Sequence, residues 1–205
     1  MKKLIVTLLL FYSILVHGYS QSPEELPQNS IHLAAGLSEH GTDFVNGFAM
    51  TVEYHHYFRE RLSWSGGVGF TLHDGSTRVI FVDNNVARNG AVRFTTGAVQ
   101  TWFRLGYSFI RTSRHNLQVE LGPLLRYQST SNPEIIGLLL NPDIYFTAPL
   151  PARSLAFGGI GSISYSYTFQ NNFFLRLQAC LQYDTNQDAL NMFGLGIGKR
   201  FTKFE

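Results

Sequence analysis

Eight stretches of this chain alternate apolar residues with polar or small ones at a period of two. That period suits a strand with two unlike faces and excludes an amphipathic helix. The third stretch, residues 62–73, is the clearest. Leu62, Trp64, Val68, Phe70 and Leu72 share one face, and Ser63, Ser65, Gly67, Gly69 and Thr71 share the other. The remaining seven are 31–38, 47–58, a fourth that closes over 99–109, then 117–128, 155–169, 173–183 and 193–201.

The connections decide what the strands build. Only Arg59, Glu60 and Arg61 separate the second and third, only Gln170, Asn171 and Asn172 separate the sixth and seventh, and residues 111–115 join the fourth and fifth. The connections after odd-numbered strands are longer, above all 74–94 and 129–154. Tight turns alternating with long loops are expected of an antiparallel meander through a membrane, with the turns in the periplasm and the loops outside. Aromatic residues cluster near the short-turn ends: Tyr54, Phe58, Trp64, Tyr107, Phe109, Tyr165, Tyr167, Phe169, Phe173 and Phe201. Such a girdle belongs at a membrane–water interface. A soluble ligand-binding barrel would turn its large apolar residues inward. Here the opposite face is Gly, Ser, Thr, Gln, Arg and Glu, which suits a polar lumen. The expected fold is therefore all-β, an eight-stranded antiparallel up-and-down transmembrane β-barrel.

The N-terminus reads as an export signal. Lys2 and Lys3 precede an apolar run over 4–16, and small Gly18 and Ser20 follow, which places a cleavage site near Ser20–Gln21. The run is shorter than the ~20 residues a spanning helix needs, and no cysteine lies near the cut to carry a lipid. Residues 1–20 are thus expected as a signal peptide, 21–29 as a flexible lead-in and 30–205 as the barrel. Charged residues are 15% of the chain and form no basic block, which argues against a nucleic-acid partner.

The pattern over residues 30–205 resembles the small eight-stranded outer-membrane barrels, the OmpA/OmpX-like group, and more narrowly the outer membrane protein beta-barrel domain or porin-family proteins. The resemblance implies an outer-membrane setting, with lipid and lipopolysaccharide around the wall and no cofactor. It also implies a last strand whose terminal aromatic is read by the barrel-assembly machinery. Here Phe201 and Phe204 stand near the end, and Glu205 takes the final position.

Three constellations are candidates for function. Glu53, Arg104, Glu120, Arg126 and Arg176 all fall on the lumen face as an ion-pair layer, and their distances from the short turns group Glu53, Arg104, Glu120 and Arg176 in the lower lumen. An eight-stranded barrel is just wide enough for side chains to fill it, so paired charges imply a plug, and a polar pathway is the alternative. Among the histidines, His55 is expected to point inward and His56 outward. His73 is expected inward, near Asp74 and Ser76 at the barrel mouth, a grouping that invites a hydrolase reading. The third is the apolar run Ile135, Ile136, Leu138, Leu139 and Leu140 in a long loop. It reads as a lid, as a continuation of the wall or as a contact for a ligand or partner. The lone Cys180 reads as a small buried residue. No metal or phosphate motif is present. The leading functional reading is a non-enzymatic barrel, porin-like or structural, with a side-chain-filled polar lumen. A narrow channel for small or hydrophobic solutes comes second and a lipid A-modifying enzyme third.

Overall fold

A computed structural model describes residues 26–41, 45–83, 86–131 and 152–202. Eight strands run in chain order: β1 (Asn29–His40), β2 (Val45–Tyr57), β3 (Leu62–Asp83), β4 (Val86–Arg111), β5 (His115–Ser131), β6 (Ala152–Thr168), β7 (Phe173–Asp184) and β8 (Ala189–Phe201). Each pairs antiparallel with its sequence neighbour, and β1 closes on β8 from Asn29↔Phe201 to His40↔Leu190. The result is a closed barrel. The signal peptide 1–20, most of the lead-in, Phe204, Glu205 and the apolar run over 135–140 lie outside the described residues.

The strands are longer than the alternation alone marks. β3 and β4 continue in unbroken register from Leu62↔Tyr107 to Asp83↔Val86, so most of the 74–94 connection is a paired ribbon. β8 begins at Ala189 rather than Phe193. At the other end, Phe58 and Phe169 belong to turns rather than strands. Phe58 and Arg59 both donate their backbone N–H to Leu62 O, at 3.2 and 3.3 Å, and Phe169 N donates to Phe173 O at 2.7 Å. Asn172 completes that second turn with a left-handed backbone, φ 63°, a conformation asparagine tolerates better than most residues.

The two faces are sorted in the reverse of a water-soluble protein. Leu33, Val68, Leu105, Leu121, Leu177 and Ile197 are exposed on the outer wall, while Glu53, Arg104, Glu120 and Arg126 are at most 2% exposed inside. An apolar band encircling the molecule far exceeds the few hundred Å² that a water-soluble surface tolerates. It fits hydrocarbon, where closure leaves no unpaired strand edge. The short-turn end carries linked aromatic rings: Trp64 stacks on Phe103 with centroids 5.9 Å apart, Tyr54 meets Trp64 at 5.4 Å, and Tyr107 meets Phe109 edge-on at 5.2 Å.

Inside, the expected polar lumen is interrupted at the middle of the barrel. Trp102, Leu124 and Ile160 form one buried apolar cluster, and Ala49, Cys180, Leu190 and Met192 form another. Trp102 fits because β3 offers no side chain opposite it. A Cβ on Gly67 would stand 2.7 Å from the indole, and one on Gly69 3.0 Å.

This sorting makes the outer wall intolerant of charge. Val68→Arg, in the middle of the lipid-facing band, is expected to lower unfolding stability by about 2–4 kcal/mol, as read by denaturant titration of the protein refolded into phospholipid vesicles. The native protein is expected to migrate faster on a gel unheated than boiled, because a closed barrel has no edge from which detergent can unzip it.

Candidate functional site

The lumen face brings together what the strands scatter in sequence. Glu53 comes from β2, Arg104 from β4, Glu120 from β5 and Arg176 from β7, and all four meet in one layer toward the short-turn end. Arg104 pairs with Glu53 through its Nη2, which also lies 3.4 Å from Glu120 Oε2. Arg176 Nη2 donates to Glu120 Oε2 at 2.7 Å, and its Nη1 lies 3.5 Å from Glu53 Oε1. Each carboxylate therefore faces both guanidinium groups, and two negative charges balance two positive ones.

Neutral donors complete the layer. Trp102 Nε1 donates to Glu53 Oε2 at 2.9 Å, and Ser65 Oγ donates to Glu120 Oε1 at 2.7 Å. Arg104 Nη1 donates to Ser162 Oγ at 2.8 Å. His32 Nε2 lies 3.8 Å from Glu53 Oε1, and His55 Nε2 lies 3.6 Å from Glu120 Oε1. Beneath this layer Gln118 Nε2 donates to Ser63 Oγ at 2.8 Å and to His55 Nε2 at 2.6 Å. Gln118 Oε1 accepts from the Tyr57 hydroxyl at 3.2 Å. Arg111 covers the same end: its guanidinium sits 3.7 Å from the centre of the Tyr57 ring and donates to Glu60 O at 2.5 Å and Pro27 O at 3.1 Å.

Arg126, placed with the other four on the lumen face as an ion-pair layer, points inward but stands apart from them, in keeping with the distances from the short turns that left it out of the lower group. It follows Glu120 by six residues on β5, roughly 20 Å along a strand, and the apolar clusters lie between. It serves a second site at the long-loop end. Arg126 Nη1 lies 3.4 Å from Asp184 Oδ2 and 3.7 Å from Asp188 Oδ2. Asp184 Oδ1 accepts backbone N–H groups from Asn186 at 2.9 Å and Asp188 at 3.3 Å, which fixes the β7–β8 connection. His40 Nε2 approaches Asp188 Oδ2 at 3.4 Å, and the His40 and His73 rings pack with centroids 5.1 Å apart.

His73 points into the lumen as expected, but not with its sequence neighbours. Ser38 Oγ is its partner, 2.8 Å from Nε2. Asp74 and Ser76 are exposed, and Asp74 accepts from Thr95 Oγ1 at 2.7 Å. The His73–Asp74–Ser76 grouping is corrected accordingly: residues one and three apart on a strand lie on opposite faces. His55 is buried and His56 points outward, where it meets Asn29 Oδ1 at 2.8 Å. Cys180 is buried.

His32, Trp102, Asp184 and Asp188 join these layers beyond the five charges expected there. The period-two rule places His32 and Trp102 on the inner face, so that signal was available. Asp188 sits in a turn, where no periodicity applies.

No protein-family model and no curated protein matches the chain. Solved structures do. Ail, the attachment invasion locus protein of Yersinia pestis, superposes with a TM-score of 0.53 at 13% identity, over 86% of this chain and 99% of that one. Neisserial surface protein A gives 0.55 at 11% identity over 84% and 97%. A major outer membrane protein from Thermus thermophilus gives 0.53 at 13% over 84% and 99%. At these identities the likeness is one of fold: the chain has the fold of the small eight-stranded outer-membrane barrels.

Two outcomes follow. Arg104→Met strands Glu53 beside a single remaining guanidinium and is expected to cost about 3–5 kcal/mol. Combining it with Glu53→Gln is expected to cost clearly less than the two single changes added, a coupling of about 0.5–3 kcal/mol in unfolding titrations; strict additivity would contradict the shared layer. The second concerns acid. Asp188 lies outside the spanning strands, and its carboxyl is held below the ordinary 3.8, first by the side-chain contact with His40, with partial burial opposing and the His40 and Arg126 charges assisting. A depressed carboxyl contributes stability that is complete above its unfolded value and is lost as the pH falls through the folded one. The stability gap between the native protein and Asp188→Asn is therefore expected to hold above pH 3.8 and to shrink below it.

Proposed function

We propose that the protein is a non-enzymatic barrel of the bacterial outer membrane, structural rather than conducting. The observation that carries this reading is the lower lumen layer. Four charged side chains from four strands fill the cross-section, and Glu53, Arg104, Glu120 and Arg176 are each no more than 5% exposed. An ion entering from the periplasm would have to separate guanidinium–carboxylate pairs that are also tied to Trp102, Ser65 and Ser162. Arg111 and Tyr57 narrow the entrance before that.

The outer-membrane setting is supported by the apolar wall, the aromatic belt and the shared fold of Ail, Neisserial surface protein A and the Thermus protein. On this reading residues 1–20 direct export and are removed, the barrel-assembly machinery inserts the mature chain, and lipid and lipopolysaccharide surround it. The β3–β4 ribbon then stands at the cell surface.

Planar-bilayer recording discriminates this from the channel reading. The purified barrel is expected to give no discrete conductance steps. Steady steps whose size changes in Glu53→Gln or Arg104→Met would overturn the plug and establish a pathway through that layer.

A further inference from the structure

The outer wall carries a groove of about 840 Å³ that crosses β5, β6, β7, β8, β1 and β2. It follows two adjacent hydrogen-bonded rows. One row runs Leu121↔Gly161↔Leu181↔Asn191↔Glu39↔Asn46, and the other runs Val119↔Ile163↔Ala179↔Phe193↔Leu37. Gly161 and Ala179 keep the floor low between large apolar neighbours.

Such rows are not level in the membrane. Strands in a closed barrel tilt by about 35–45°, so the hydrogen-bonded direction climbs around the wall. This one starts at Leu121, well inside β5, and ends at Glu39, the last residue but one of β1, beside Asn46 at the second position of β2. The groove is therefore apolar from mid-membrane upward and polar at the long-loop rim.

The rim is where the chemistry lies. Glu39, Asn46 and Asn191 face outward and are exposed. Among the described residues the Glu39 carboxylate has no ion-pair or hydrogen-bond partner, and no Lys or Arg lines the groove. A lipid-facing charge is costly in hydrocarbon and becomes tolerable near the interface or when paired.

We propose that this groove binds one membrane lipid bearing an amine headgroup. An acyl chain lies over Gly161 and Ala179, the headgroup ammonium meets the Glu39 carboxylate, and the Asn46 and Asn191 amides donate to the adjoining phosphate. An anionic headgroup finds no countercharge at this rim, which makes the amine the selected feature.

The test uses the full mature chain in detergent, mixed with equal amounts of phosphatidylethanolamine and phosphatidylglycerol of identical acyl chains and read by native mass spectrometry. The expected result is one retained lipid per barrel, with phosphatidylethanolamine favoured about fivefold, the size of effect one interfacial ion pair supports. Glu39→Gln is expected to abolish the preference while keeping the lipid. Gly161→Leu is expected to lose both lipids. A Cβ at Gly161 meets nothing closer than Leu121 Cδ1 at 3.6 Å, so the wall accepts the change, and Ala179→Phe fills the same floor from the next strand. The heat-dependent gel shift verifies that each variant is folded. No retained lipid, equal retention of the two, or full retention by folded Gly161→Leu and Ala179→Phe would each overturn the proposal. None of these results bears on whether the lumen conducts.

Discussion

Backbone pairing in hydrocarbon governs this molecule. A strand crossing a membrane has no water to satisfy its N–H and C=O groups, so every strand needs a partner on both sides. Seven of the pairings join sequence neighbours. The eighth must join β1 to β8, and it does so along the whole length of β1, with Asn29 Nδ2 donating to Thr202 O across 173 positions of the chain. Closure then dictates the rest. It divides all side chains into an outer set that meets lipid and an inner set cut off from bulk water, and the number of strands limits how much the inner set can hold.

That limit explains the composition of the lumen. Eight strands leave room for side chains and little else, so the buried charges of the lower lumen, Glu53, Arg104, Glu120 and Arg176, find their counter-charges within one layer. Glu53 and Glu120 each meet Arg104 and Arg176, and no member of the group can be removed without exposing another. A buried ion-pair network of this kind adds little net stability over apolar packing of equal volume, but breaking it is expensive. Its stronger effect is on register. A slip of one residue on β2 would move Glu53 to the lipid and bring Val52 inside. The plug thereby also penalises two-residue slips, which would keep the apolar and polar faces sorted but separate the charges.

The fold was legible in the sequence because the period of two survives along each wall. The eight strands and the inward direction of Glu53, Arg104, Glu120 and Arg176 follow from parity, and the antiparallel order follows from the short turns between strands. Three things escaped for identifiable reasons. The inner apolar residues Leu124 and Phe174 sit in Leu124–Leu125 and Phe173–Phe174 doublets, where one apolar residue masks the inward direction of the other. Arg126 has the right parity for the lumen and the wrong distance from the short turns for the lower group, but its pairing with Asp184 reaches from β5 past β6 to β7, which no local spacing reveals. The link between His73 and Ser38 joins the long-loop ends of β3 and β1, so local spacing pointed instead to Asp74 and Ser76, which lie on the other face.

Exceptions to the period-two rule are informative on both sides of the wall. Inside, each apolar exception is accommodated: Trp102 has the missing side chains of Gly67 and Gly69 opposite it, and Leu190 and Met192 pack with Cys180 and Ala49. Outside, the polar exceptions fall into two kinds. Thr101 stands in the middle of the apolar band, and its hydroxyl donates to Gly67 O on the adjacent strand at 3.0 Å, so its polarity is absorbed by the wall itself. Glu39, Asn46 and Asn191 share one hydrogen-bonded row at the long-loop end, and their carboxylate and amides point away from the barrel. A polar residue that the wall satisfies is neutral toward lipid. A row of three directed outward at the interface sets a local preference for whatever lies against it, and so gives one sector of an otherwise uniform surface a chemical identity.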